Sequence, residues 1–397
     1  MTTPKFDIPE IPAELVDESK RVSRKVWARE DLDLRDPALM LSWGGYQGYT
    51  HSRDPWPQDD PRYSEEDLKY RNATTSERIN NPEADVRSQL ITIRSAVEHM
   101  KAGKDVGVPI ALFPTLHMVH FGTGPLATAF GSKWIIREND QPFFEPAIHT
   151  PEEALRLRKP DLLRDGMLPR IYERIEYYNE ATKGKIPICV CDTAGPWSIA
   201  TQIWHFEEML EAIITAPEAV HHIMDLVTEC MIEFDNMQIT RMANYYGNTD
   251  TVPGIFRPWG AWIGDDTMVA VSPGTWEEFF LPYNNRISRE YGGAGYHCCM
   301  RYDTHFQSLI KTENFMGFDA TPEYNDLDKV EAALAGRGVW CVVLGDVPLH
   351  RHGEAGRRND LPTIRRLRGK VAFYLGVHGD NRQDAIDRAK RLLDELG

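Results

Sequence analysis

A chain of 397 residues, 42% of them hydrophobic, can bury one large core, and α/β barrels with insertions reach this length as a single domain. The net charge of −15 with no basic stripe argues against nucleic acid as a partner, and the lack of any apolar run of about 18 residues argues against a membrane span. Six cysteines in so long a chain make no disulfide scaffold, and residues 1–10 lack the apolar stretch of a signal peptide, so we expect a reducing, cytoplasmic setting in which some thiols serve a metal or a reaction.

Along the chain, short apolar runs rich in β-formers recur, each followed by helical periodicity. They cover 38–43, 109–115, 187–192, 252–257, 295–299, 315–319, 339–345 and 371–377. Eight such runs predict a parallel (β/α)8 TIM barrel over residues 1–397, preceded by an N-terminal extension. Residues 44–82 are rich in glycine and proline and carry Tyr46, Tyr49 and Trp56, which predicts a loop cap over the barrel mouth. After Pro217, the residues Val220, Ile223, Met224, Val227, Met231 and Phe234 form one apolar helix face. A second face runs from Ala385 to Leu396, with Asp380 as the expected cap and Gln383 as its capping-box partner. A doubly wound dinucleotide fold is the rival. Gly122, Gly124 and Ala127 match its phosphate-loop pattern, but Pro125 interrupts it and no acid ends a strand about 20 residues later.

In a (β/α)8 barrel the chemistry gathers at the C-terminal ends of the strands. Those ends, with the loops that follow, carry Trp43 and Tyr46, then His117 and His120, then Asp192 and Trp197, then Arg257 and Trp259. The remaining four carry His297 with Cys298 and Cys299, Asp319 with Glu323, Cys341, and His378. The carboxylates Asp192, Asp319 and Glu323 are candidates for orienting a substrate or supporting a metal ligand, although a strand-end carboxylate also serves simply to cap the next helix. The aromatic set Trp43, Tyr46, Trp197 and Trp259, together with His117, His120 and Arg257, is a candidate wall for a substrate. Such a wall stacks on an arene or faces a quaternary ammonium.

His297 and Cys299 are the sharpest pair. In an extended strand residues i and i+2 point the same way, so both face the mouth while Cys298 turns toward the helices. Imidazole and thiolate together suit zinc, whose catalytic sites use three protein ligands and one open position. The third ligand is open between Cys341 and His378. The plain alternative for the remaining cysteines is that of small buried hydrophobes.

Seven segments in fixed order carry a family resemblance: 192–200, 216–221, 265–273, 276–283, 296–299, 317–320 and 344–346. Together they resemble the uroporphyrinogen decarboxylase superfamily, whereas the first 150 residues do so only loosely. The resemblance implies a (β/α)8 barrel and offers two chemistries. The decarboxylase branch holds its acidic tetrapyrrole with arginines near the N-terminus, yet 41–47 here contains none, and polycarboxylate recognition needs guanidinium forks. The other branch comprises zinc methyltransferases with His-x-Cys on a strand and a further cysteine near the last strand. His297 and Cys299 match the first two positions. His378 falls where the last cysteine is expected, and Cys341 lies on a different strand. This branch implies Zn2+, a small methylated donor and a corrinoid (cobalamin) carried by a partner protein, or a thiol, as acceptor. Methoxy-arenes rank first as donors, with methylamines or betaines next. A divergent decarboxylase or a metal-free binding protein is the alternative, and a homodimer is compatible with either.

Overall fold

The computed structural model describes residues 6–43, 69–245, 254–348 and 357–397. Its strands are β1 (Leu39–Trp43), β2 (Lys133–Ile135), β3 (Phe143–Glu145), β4 (Ala261–Gly264), β5 (Ala294–His297), β6 (Phe315–Asp319), β7 (Val339–Pro348), β8 (Arg357–Asn359) and β9 (Ala372–Gly379). Six of them form a parallel sheet in the order β1-β9-β7-β6-β5-β4, with β8 antiparallel on the end of β7 and β2 paired with β3 in a separate hairpin. The parallel strands are mostly buried on both faces, as expected where helices cover a parallel sheet, and β9 reads as an almost unbroken apolar run.

The expected strands at 109–115 and 187–192 are present as irregular segments. Ile110 bridges Leu39 and Ile188 bridges Leu116, both in parallel, and the Gly264 amide donates to the Ala194 carbonyl at 3.3 Å. These contacts carry the wall from β1 round to β4. Pro109, Pro114 and Pro187 have no amide hydrogen to give to a ladder, which keeps both segments from becoming regular strands. The expected strand at 252–257 is displaced. Residues 252 and 253 lie outside the described residues, Gly254 makes an antiparallel bridge to Phe113, and the parallel strand is β4, which begins after Pro258 and Gly260. Gly260 has φ +87°, a left-handed turn that sets the chain onto the sheet.

The helix Ala13–Ala28 buries Ser19, Val22, Ser23, Val26 and Trp27. Ser19 donates to the Leu112 carbonyl at 2.6 Å, and Arg29 just beyond the helix donates to the Gly336 carbonyl ahead of β7. The helix therefore closes the N-terminal end of the strands. The helix Pro217–Ile239 buries the expected face. The last helix, Arg382–Leu396, is capped one residue later than expected. The Asn381 side chain accepts from the Asp384 amide at 3.1 Å, while Gln383 bonds Asp387 rather than Asp380. Asn381 holds the extended backbone that a cap requires, with φ −147° and ψ 176°. Of the expected cap at 44–82, residues 44–68 lie outside the described residues. The described end forms the helix Thr75–Asn80 with a capping box between Thr74 and Glu77. No helix among the described residues is long and apolar enough to cross a membrane.

Candidate metal centre

The centre is built by alternation on β5. Gly295 and His297 face the barrel interior, while Tyr296 faces the helices, where its hydroxyl meets Thr312 Oγ1 at 2.6 Å. Beyond the strand the alternation continues, with Cys298 fully buried and Cys299 exposed. His297 stands in register with Asp319 on the neighbouring β6, and its Nδ1 lies 2.9 and 2.8 Å from the two carboxylate oxygens. Its Nε2 faces Cys299 Sγ at 3.1 Å. The Asp319 side chain is 19% exposed, so the pair sits at the edge of solvent rather than in it.

A third donor comes from the loop after β4. Ligand atoms of Asp266, His297 and Cys299 all lie within 4.8 Å of one another. Asp266 Oδ1 accepts from the Cys299 amide at 2.6 Å, which ties the two loops together. Its neighbour Asp265 turns inward. The Asp265 amide donates to the His297 carbonyl at 2.9 Å, and its buried carboxyl accepts from Ser198 and Thr267, each at 3.2 Å. Burial pushes the Asp265 carboxyl up to about 7 against those two hydrogen bonds.

This donor set fits zinc. It offers one imidazole nitrogen, one sulfur and one carboxylate oxygen, and its two anionic members balance a divalent charge. Nitrogen and sulfur ligands of one tetrahedral zinc are about 3.5 Å apart, close to the spacing of His297 and Cys299. His297 Nδ1 against Asp319 is the arrangement that leaves the other ring nitrogen for a metal. Without a metal, burial disfavours the charged ring, but the Asp319 carboxylate outweighs burial and holds the imidazole proton well above its ordinary range.

The other expected site residues occupy different places. Cys341 and His378, the two candidates for the third ligand, are outside this group, and Asp266 takes that position. Cys341 lies early in β7, buried, with its Sγ 3.6 Å from Arg257 Nη2. His378 is near the mouth end of β9, where its Nδ1 lies 2.9 Å from Ser42 Oγ on β1. Arg257 is buried beneath the centre and its guanidinium lies 4.3 Å from the Trp262 ring. Trp259 precedes β4 and so stands at the opposite end from the mouth, a consequence of the strand's displacement. Trp43 is buried against His99, with ring centres 4.0 Å apart, and Trp197 stacks on Phe280 in the core. Tyr46 lies outside the described residues.

Asp192 accepts from the Ala194 amide at 2.7 Å, and Glu323 is bound by Arg358 at 3.2 Å beside Asp360. His117 is half-buried, its amide donating to Gln89. His120 is fully enclosed, with Nε2 3.3 Å from Asp85. The Asp85 carboxylate also accepts from Arg78, Gln89, Arg174 and Tyr178. Burial pulls the His120 ring down to about 4 despite the nearby carboxylate.

Asp266 was the residue missed. With β4 placed at Ala261–Gly264, the acids at 265 and 266 stand at a strand's C-terminal end, the position where chemistry is expected. A strand misplaced at 252–257 hides that signal.

The family described as Uroporphyrinogen decarboxylase (URO-D) matches residues 118–347. The uroporphyrinogen decarboxylase of Hydrogenovibrio crunogenus is 24% identical over 136 residues, covering 33% of this chain and 38% of that protein. That of Xanthomonas axonopodis pv. citri is 24% identical over 168 residues, covering 41% and 42%. The chain thus spans about two fifths of the length of these curated relatives. Among solved structures, a methyltransferase from Methanosarcina mazei superposes with a TM-score of 0.58 at 15% identity, covering 96% of this chain and 98% of that one. The α/β fold with a mostly parallel sheet agrees with that likeness. The family match runs from just after the first irregular wall segment through the β5 and β6 site to the end of β7, more than half of the sequence, and the chain belongs to the uroporphyrinogen decarboxylase family.

Proposed function

We propose that this protein is a zinc-dependent methyltransferase that takes a methyl group from a small methylated donor and delivers it to a corrinoid held by a partner protein, or to a thiol. The observation that carries this reading is the convergence of Asp266, His297 and Cys299 at the ends of β4 and β5, with Asp319 behind His297. Asp266, His297 and Cys299 would hold the zinc, which would supply Lewis acidity that lowers the basicity of the atom losing or accepting the methyl group. Asp319 orients the His297 ring, Asp266 and Cys299 neutralise the added charge, and Asp265 clips the loop bearing Asp266 to β5.

The rim supports an apolar or partly apolar partner. Val269, Met300 and Tyr324, on the loops after β4, β5 and β6, are all exposed. Methoxy-arenes are the first choice of donor and methylamines or betaines the second, with Trp43, His117 and His378 proposed to contact the donor. Asp192 and Glu323 are proposed to face its polar edge. Six cysteines in so long a chain, too few for a disulfide scaffold, support a reducing, cytoplasmic setting. The likeness to a protein named as a methyltransferase supports the same reading.

The test is metal content followed by methyl transfer. One zinc per chain is expected, removable by a chelator, together with demethylation of a methoxy-arene or methylamine when Co(I) cobalamin is the acceptor. A protein that holds no zinc and instead decarboxylates an acidic tetrapyrrole would overturn the proposal in favour of the decarboxylase branch.

A further inference from the structure

The interior face of β4 and β5 carries a large side chain with no role in the centre as described so far. Trp262 is buried and pairs in register with Gly295. Its ring lies across β5 where a side chain would normally stand. A Cβ at position 295 would come within 2.0 Å of the indole. Below it, Trp27 of the closing helix meets the ring edge-on with centres 6.0 Å apart, and the Arg257 guanidinium lies over the ring at 4.3 Å. Held from three sides, the indole directs Nε1 at Asp319 Oδ2, 3.4 Å away. That same oxygen is 2.8 Å from His297 Nδ1.

We propose that Trp262 is a positioning residue for the metal centre: wedged between Gly295, Arg257 and Trp27, it holds the Asp319 carboxylate by its indole N–H and thereby sets the ring of His297. The proposal rests on the zinc reading of Asp266, His297 and Cys299. A carboxylate shared between two N–H donors has less freedom to rotate than one held by the imidazole alone. A ring held in one orientation loses less entropy when its other nitrogen binds a metal. Outer groups of this kind commonly set metal affinity within a factor of about 10–100. Trp262 acts one bond further out than Asp319, so the lower end of that range is expected.

Trp262→Phe keeps a smaller aromatic ring and removes the N–H. Zinc affinity, measured by competition with a chromogenic chelator on the whole chain, is expected to fall about tenfold, while the smaller ring lowers the Tm of the zinc-free protein without preventing folding. In an Asp319→Asn background the same substitution is expected to have no further effect on zinc affinity, because the relay is already cut. Equal zinc affinity in wild type and Trp262→Phe would overturn the proposal while leaving the zinc reading intact, and so would fully additive losses in the double variant. A wild-type protein that binds no zinc would overturn both. If Trp262→Phe does not fold, zinc titration of 15N-tryptophan-labelled wild type decides the matter. A shift of the Trp262 indole N–H resonance at one equivalent supports the relay, and an unmoved resonance overturns it.

Discussion

Cys298 and Cys299 are adjacent in sequence and opposite in surroundings. Cys298 is fully buried on the helix side, where burial pushes its thiol up, and Cys299 is exposed beside His297. Cys298→Ser is therefore expected to leave zinc content unchanged. Asp266→Ala, which removes one of three donors, is expected to weaken zinc binding by about a hundredfold or more, since even outer-layer losses reach that size. Metal analysis after dialysis against a graded zinc buffer checks both, and a Cys298→Ser protein without zinc would show that the side-chain alternation has been read backwards. At this scale the sequence was informative where geometry is local. Strand period alone puts His297 and Cys299 on one side. The third donor was not legible, because it depends on where β4 ends, and the acids at 265 and 266 acquire meaning only once that is known.

Strand placement depends on which segment can offer a full set of amides, and proline decides that here. Segments 109–115 and 187–192 keep their place in the wall with only isolated bridges, and the wall's fourth member is β4 rather than the more β-branched 252–257. Hydrophobic runs reveal that a wall exists, while the missing donors at Pro109, Pro114, Pro187 and Pro258 decide where it is regular. Gly295 is a similar case. Its smallness makes sense only against the Trp262 ring from the next strand. Gly295→Ala is expected to cost about 1–3 kcal/mol by overpacking. It is also expected to loosen zinc binding, because the ring must move away from Asp319. Chemical denaturation together with zinc competition checks this, and a substitution neutral in both assays would mean that the ring does not need the space.

Over the whole molecule, the buried group formed by Asp85, Arg78, Arg174, Tyr178 and His120 joins the helices Thr75–Asn80, Pro82–Lys101 and Leu168–Thr182 to the loop after the second wall segment. Arg174 also donates to the Arg78 and Ile79 carbonyls, binding the end of the first of these helices. His120, a candidate for a substrate wall, is committed to this network, whose charge balance gives it a definite pH signature. Its folded pKa is lowered to about 4 while the unfolded value is about 6.5, so unfolding takes up a proton between those values. The contribution is fully present above pH about 6.5 and is lost as the pH falls toward about 4, a change of the order of 3 kcal/mol. The raised Asp265 carboxyl works in the opposite sense, losing stability as pH rises toward about 7, so a difference between variants is the clean measurement. Comparing Tm against pH for wild type and His120→Gln is expected to show a weaker pH dependence between 4 and 6.5 in the variant, and parallel curves would refute the assignment.

Only one of the six thiols is exposed, and it is the one beside His297. The folded, zinc-free protein is accordingly expected to take up a single equivalent of iodoacetamide, located by peptide mass mapping at Cys299, with a further five appearing only in denaturant. Zinc added beforehand is expected to slow that first alkylation, so the native chain carries its own one-site reporter of metal occupancy, readable from an intact mass without any substrate.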